Sequence, residues 1–298
     1  MNQERPLSGD SIAINRRYLD SLVVESRIVG AVRPDPRLTL FGHTFSTPIT
    51  TGALSHLNPG MPAFARGAKE ADAACFIGMG SCEELRQTLA TGAKIIKIIK
   101  PYADPEAILS RIRCAEENGA IAVGMDVEHA VNVRDDQDSL VAGFQMKLPT
   151  LDELKDLVRA TRLPFVIKGA LSVRDAVTCA EIGCAGVILS HHNGLMRWAV
   201  PPTMLLPKIR SAVGRSLALI VDGGIQDGFD AYKALALGAD AVSVGRPLIP
   251  PLEEGGPAAM AETLRAFTDE LRAMMLRTGT PDLAHMDPTT VHTLPATV

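Results

Sequence analysis

Two segments of the chain carry residues suited to gripping a phosphate: Val221-Asp222-Gly223-Gly224-Ile225 and, about twenty residues on, Val244-Gly245-Arg246-Pro247. Each is an apolar run that ends where backbone N–H groups can reach an anion. Gly223, Gly224 and Gly245 clear the approach, and Arg246 adds a forked cation. A second set of residues could move protons. His192 follows the apolar run Val187-Ile188-Leu189, and Asp126 ends another. A carboxylate that accepts the proton of one imidazole nitrogen fixes the tautomer and raises the basicity of the other, so the two would make a general base. His192 could equally cap backbone carbonyls, and residue type leaves both readings open. Lys168 closes the run Phe165-Val166-Ile167. An ammonium there needs an anion or an electron-rich acceptor. Lys168 reads as a ligand contact, as a surface lysine at a strand end, or as a Schiff-base lysine. His56 is a weaker catalytic candidate, and strand alternation turns His191 away from His192.

All these residues sit at the ends of short apolar runs that alternate with amphipathic stretches, the pattern of a parallel sheet covered by helices. Eight candidate strands are counted: Pro48 to Leu54, Ala74 to Met79, Lys94 to Ile99, Ala120 to Asp126, Phe165 to Gly169, Gly186 to Ser190, Ala218 to Gly224 and Ala241 to Arg246. Helices are expected at Pro105 to Asn118, at Leu151 to Ala160 behind a Thr150 cap, and at Ser172 to Ile182 with Ser172 as cap. Eight such units and 298 residues predict one (β/α)₈ TIM barrel, a fold whose chemistry lies at the C-terminal strand ends and whose last two βα loops commonly hold phosphate. Residues 1 to 46 are expected to pack across the barrel and 280 to 298 to form a polar tail. The connection from Val127 to Thr150 is long for its task and carries Arg134-Asp135-Asp136-Gln137-Asp138. It reads as an active-site lid or as a solvated insertion.

The formal charge of −4, with lysines and arginines spread along the chain, offers no field that would gather nucleic acid or an anionic membrane. No secretory signal and no bilayer-length apolar run is evident, so a cytoplasmic protein is the expectation. Cys75, Cys82, Cys114, Cys179 and Cys184 form no CxxC pair, so reduced, mostly buried thiols are expected, with neither a disulfide framework nor a metal site.

From Phe165 to Pro247 the motifs Val166-Ile167-Lys168-Gly169, Asp175-Ala176, Ser190-His191-His192-Asn193-Gly194, Asp222-Gly223-Gly224, Lys233-Ala234-Leu235-Ala236-Leu237-Gly238-Ala239 and Gly245-Arg246-Pro247 stand in series. Together they resemble the FMN-dependent α-hydroxy acid oxidase and dehydrogenase family. The likeness extends upstream through Asn15-Arg16-Arg17-Tyr18, Leu40-Phe41-Gly42-His43 and Ser46-Thr47-Pro48-Ile49, and downstream to Glu270-Leu271 and Met275. The resemblance implies FMN as cofactor, His192 as base with Asp126 in support, and Lys168 at the N1/O2 edge of the isoalloxazine. It implies that Asp222, Gly223, Gly224, Gly245 and Arg246 hold the ribityl chain and phosphate. Gly52, Ala53 and Leu54 would lie against the flavin, with Ser81, Ser190 and Lys97 as further contacts; Lys97 stands where the family has a glutamine. Partners so implied are a small-molecule substrate and an electron acceptor, oxygen or another, with a homotetramer as the assembly suggested by analogy.

The departures concern the substrate. Leu195 aligns with the arginine that clamps the substrate carboxylate, and Arg197 is displaced by two residues. Ile99 matches an active-site tyrosine, Gln226 replaces an arginine near the phosphate, and Arg134 approximates a further arginine with a one-residue offset. A buried carboxylate without a bidentate partner is costly, so a simple 2-hydroxy acid requires Arg134, Arg197 or Lys100 to take over. The expectation is a flavin oxidoreductase acting on a hydroxy or amino compound in a remodelled, more apolar pocket near Ile99, Leu195, Met196 and Trp198. Alternatives are a non-redox FMN enzyme of the isopentenyl diphosphate isomerase type and a flavin-binding protein impaired in catalysis. A barrel of the inosine monophosphate dehydrogenase type ranks low, because the loop after the sixth strand has no cysteine.

Overall fold

The structure, a computed structural model, describes residues 9–131, 139–141 and 143–295. Its centre is a ring of eight parallel strands: β1 (Ile49–Thr51), β2 (Cys75–Ile77), β3 (Ile95–Ile99), β4 (Ala122–Asp126), β5 (Phe165–Lys168), β6 (Gly186–Leu189), β7 (Ala218–Asp222) and β8 (Ala241–Val244). From β2 to β8 each strand pairs with the next in sequence, and β8 pairs with β1. The ring closes between β1 and β2, where Thr51 N–H donates to Ala74 O at 3.1 Å and Gly78 N–H to Leu54 O at 2.7 Å. All eight strands lie within the ranges expected from the sequence, trimmed at the ends. The helices that follow the strands are α1 (Met61–Glu70), α2 (Cys82–Leu89), α3 (Pro105–Glu117), α4 (Leu151–Arg159), α5 (Val173–Glu181), α6 (Pro202–Val213), α7 (Gly228–Ala236) and α8 (Ile249–Arg277). Thr150 and Glu153 form a reciprocal capping box at the start of α4, and Ser172 caps α5.

Strand alternation sorts the core into two layers. Ile95, Ile99, Met125, Ile167 and Leu189 pack outwards under the helices, while Ile96, Ile98, Val166, Ile188 and Ile220 fill the inside of the ring. A hairpin of Leu38–Leu40 with His43–Phe45 adds Leu38, Leu40 and Phe45 to the inner layer. Counting by two from these inner residues, and from Ala122 of β4, puts Lys100, Asp126, Lys168, Ser190 and Asp222 at the open, C-terminal end of the ring.

Two expectations change. The segment after 280 is more than a tail: Val291–Thr293 pairs antiparallel with Leu22–Val24, and Glu25 N–H donates to Thr290 O at 2.8 Å. Cys82, opening α2, and Cys114, on α3, are joined as a disulfide with Cα atoms 6.0 Å apart, so the cysteines are not all thiols. Their 32-residue separation gives no hint of this, because only the packing of adjacent helices brings them together. Cys75, Cys179 and Cys184 are buried and free, as expected.

The connection after β4 begins with a short helical turn, Val127–Ala130, and includes a small hairpin of Leu140–Val141 with Phe144–Gln145. The charged run with Arg134 lies outside the described residues.

Candidate active site

A cavity of about 610 Å³ opens at the C-terminal end of the ring, within the range of ligand pockets. Gly52, Ala53, Leu54, Lys168, His192, Asp222, Gly223, Gly224, Gly245 and Arg246 line it, joined by Gln226 and by Ile12 and Arg16 of the N-terminal helix Ser11–Ser21. The glycines serve the cavity in two ways. Gly223 and Gly224 have φ of 94° and 80°, the left-handed region that favours glycine. A Cβ on Gly52 would lie 2.9 Å from Gly245 Cα, so β1 and β8 meet here only without a side chain. Arg16 holds the helix over this end through two bonds to Asp230, at 2.6 and 2.9 Å, and one to Gly224 O at 3.0 Å.

Behind Lys168 and His192 lies a buried charge network. Asp126, 2% exposed, receives Lys100 Nζ at 2.8 Å, Lys168 Nζ at 3.4 Å and His192 Nδ1 at 3.0 Å. Burial alone would raise the Asp126 pKa, but Lys168, the His192 bond and Lys100 outweigh it and hold the carboxyl well below its usual range. Asp126 is therefore an ionised acceptor. Burial is also the largest influence on His192; with the help of the neighbouring ammonium groups it pulls the imidazole below its ordinary pKa against the opposing pull of Asp126. The ring is neutral at neutral pH, the state a base requires. Lys168 Nζ also lies 3.7 Å from Asp222 Oδ2, which accepts from Ser190 Oγ at 3.0 Å. Ser190 in turn accepts the His192 backbone N–H at 2.9 Å, fixing the turn in which His192 takes a positive φ.

Other expected residues lie elsewhere. Lys97 shares the outward face of β3 with Ile95 and Ile99, and its ammonium donates to Gly78 O between the strand and the helices. Burial lowers the Lys97 pKa to about 8. A one-residue shift in a strand exchanges its faces, so the two-residue spacing assigned to Lys97 and Ile99 falls, on the inner face, on Ile98 and Lys100. Ser81 Oγ accepts Glu84 N–H at 3.1 Å as the cap of α2 and does not line the cavity. Leu195 N–H donates to His191 O at 3.2 Å in the turn after β6, while Arg197, Met196 and Trp198 are exposed, with Arg197 beside Gly9. The apolar pocket expected from Ile99, Leu195, Met196 and Trp198 is thus not assembled: Ile99 is in the outer core and none of the four lines the cavity. His56 is exposed in the loop after β1.

Three further residues belong to the site, marked in the sequence by position alone. Lys100 reaches Asp126. His129 places Nε2 2.6 Å from His192 Nε2, the rings edge to face. Burial, then Lys100, lowers the His129 pKa to about 3. Glu128 has a buried Oε2 without a hydrogen-bond partner, and burial raises its pKa to about 7. The available signal was position alone, the first residues beyond a barrel strand end. Asp126, His129 and His192 are close enough to be weighed as a metal triad. Two ammonium groups already press on Asp126, however, and His192 presents opposite ring nitrogens to the other two residues, so the group is arranged to handle protons.

A ring of eight βα units with a glycine-lined, arginine-tipped cleft beside a lysine, an imidazole and an ionised carboxylate defines a barrel oxidoreductase of the flavin-binding kind. The profile of the family described as FMN-dependent dehydrogenase matches residues 7–149 and 134–293, and the chain belongs to that family. It is 30% identical to an L-lactate oxidase of Alicycliphilus denitrificans over 90% of this chain and 84% of the relative. Identity to human 2-hydroxyacid oxidase 1 is 27%, over 100% of this chain and 91% of the relative. A solved structure of mandelate oxidase with benzoyl-formic acid superposes with a TM-score of 0.87 at 27% identity, covering 98% of this chain and 91% of the other. The protein is an FMN-dependent oxidoreductase. The cleft suits that cofactor, since no hydrogen bond among the described residues takes the N–H of Gly223, Gly224 or Gly245, and the cations Lys168 and Arg246 both line it. No helix is long and apolar enough to cross a membrane among the described residues.

Proposed function

We propose that the chain oxidises the CH–OH group of a 2-hydroxy acid, with His192 as the base that takes the hydroxyl proton. The observation that carries this reading is the bond from His192 Nδ1 to Asp126 at the cavity wall, which directs the opposite nitrogen to the reaction. Bound FMN supplies the two-electron sink, and oxygen or another acceptor removes the electrons. Asp126 keeps the imidazole in one tautomer and stabilises the imidazolium that forms. Lys168, whose ammonium lies 3.4 Å from Asp126 and 3.7 Å from Asp222 at the cavity wall, would favour negative charge at the flavin edge. Asp222, Gly223, Gly224, Gly245 and Arg246 hold the ribityl chain and phosphate, with Ser190 positioning Asp222.

The substrate carboxylate falls to Lys100. Arg134 is outside the described residues and Arg197 is exposed beside Gly9, whereas Lys100, although it does not itself line the cavity, is ion-paired at 2.8 Å with Asp126 directly behind His192. Lys100→Met is expected to raise KM for a 2-hydroxy acid at least tenfold, as loss of a charged hydrogen bond requires. An unchanged KM would remove Lys100 from this role. The relatives described above are oxidases, which favours redox turnover over the isomerase alternative.

A further inference from the structure

The contact between His129 and His192 follows from no feature of the sequence and has a chemical implication of its own. Asp126 can only accept, so the proton of His192 lies on Nδ1 and its Nε2 presents a lone pair. His129 Nε2, 2.6 Å away, must then be the donor. Lys168 Nζ also lies 3.0 Å from His192 Nδ1, and if it were to donate there the tautomers would exchange. In either case one proton lies between the two Nε2 atoms. One donor and one acceptor therefore face each other across the position where a substrate must reach the base.

A carboxylate inserted between them could satisfy only the donor, and an ammonium only the acceptor. A hydroxyl is both at once. Hydrogen bonds of ordinary length on either side of one oxygen separate the nitrogens to roughly 4.6 Å, an opening of about 2 Å. His129 is on the short turn Val127–Ala130 and is half-buried, so rotation about its side-chain bonds supplies that movement.

We propose that His129 is a substrate-binding residue, the second half of a hydroxyl clamp in which the reacting hydroxyl accepts from His129 Nε2–H and donates to His192 Nε2. This assignment rests on the reading of His192 as base for a CH–OH substrate. It gives the chain a hydroxyl-orienting donor on the β4 turn, in a protein that has Ile99 and Leu195 where the resemblance places a tyrosine and an arginine. Selectivity for a hydroxyl over a bare methylene at the same carbon is its consequence.

The test compares a 2-hydroxy acid with the same acid lacking the hydroxyl, such as lactate with propionate or mandelate with phenylacetate. Anaerobic rapid mixing of the FMN-loaded protein gives the dissociation constant and limiting reduction rate for the hydroxy acid. Displacement followed in the flavin spectrum gives the dissociation constant of the deoxy acid. In His129→Ala the hydroxy acid should bind about tenfold more weakly, while the deoxy acid changes by less than twofold, and His129→Gln, which keeps a donor and an acceptor, should recover most of the loss. Equal weakening of both ligands, or of neither, would overturn the clamp while leaving His192 as base. A wild-type protein that none of these hydroxy acids reduces would instead overturn the parent reading, and the clamp with it.

Discussion

Replacing Asp126 by Asn keeps the volume and removes the charge on which three cationic or donor groups converge. Lys100 and Lys168 have side chains 9% and 6% exposed, and Asp126 is the carboxylate nearest to both. Breaking a buried pair costs about 3–5 kcal/mol because a buried charge is left behind. Lys168 keeps Asp222 at 3.7 Å, which puts the expected loss at the lower end. A loss of about 3 kcal/mol lowers the Tm of a chain this size by roughly 6 °C. The sign with pH is fixed by the depressed carboxyl. Its contribution is present above the unfolded value of 3.8 and is lost as pH falls through the folded value, so wild type and variant converge in acid. The functional loss is separate. The bond from Asp126 raises His192 basicity, so the variant imidazole is a weaker base in an unfixed tautomer, and flavin reduction should slow by about 10²–10⁴-fold. Anaerobic rapid mixing of FMN-saturated wild type and variant measures the rate, and urea unfolding measures stability. A destabilised variant that reduces flavin within about threefold of wild type, where the expected loss is the full contribution of a general base, would show that Asp126 is a counterion only.

Burial lowers the His192 pKa, so the acid limb of flavin reduction should fall below the ordinary histidine value of 6.5; a limb above it would contradict the environment described. Glu128, with its pKa raised from 4.5 to about 7, stays protonated in the folded chain and ionises in the unfolded chain between those values. Stability should therefore fall as pH rises through that window, and Glu128→Gln should recover up to about 3 kcal/mol at pH 8 but little at pH 5 in urea titrations. Gly52→Ala, whose Cβ would press on Gly245, should weaken FMN binding at least tenfold, read from flavin fluorescence. Lys168→Met should lower the flavin reduction potential or occupancy, and unchanged values of both would remove the N1/O2 contact. Thiol titration of the non-reduced, denatured chain should count three free groups, and five would exclude the Cys82–Cys114 bond.

The barrel was legible because its strands are buried on both faces and read as continuous apolar runs, each ending in a Gly, Ser, Lys or Asp that cannot continue inside a core. His192, Asp126, Lys168 and the glycine motifs were legible for the same reason, as polar residues at such ends. Inside β3 the period of two was harder to phase: in Ile95-Ile96-Lys97-Ile98-Ile99 both faces are apolar, so nothing in composition shows that Lys97 faces the helices and Lys100 the ring. His129 and Glu128 were missed because a turn after a strand has no period to follow. The disulfide and the pairing of Leu22–Val24 with Val291–Thr293 join segments distant in sequence, which no local pattern specifies.

The most direct test of the proposed chemistry is the anaerobic absorbance spectrum of the purified, FMN-loaded protein before and after 2-hydroxy acids, amino acids and neutral alcohols, with His192→Ala alongside. The account predicts bleaching of the wild-type flavin by a 2-hydroxy acid and none in His192→Ala, with flavin retained. A wild-type flavin that no 2-hydroxy acid bleaches, or a His192→Ala protein that bleaches as fast as wild type, would contradict it.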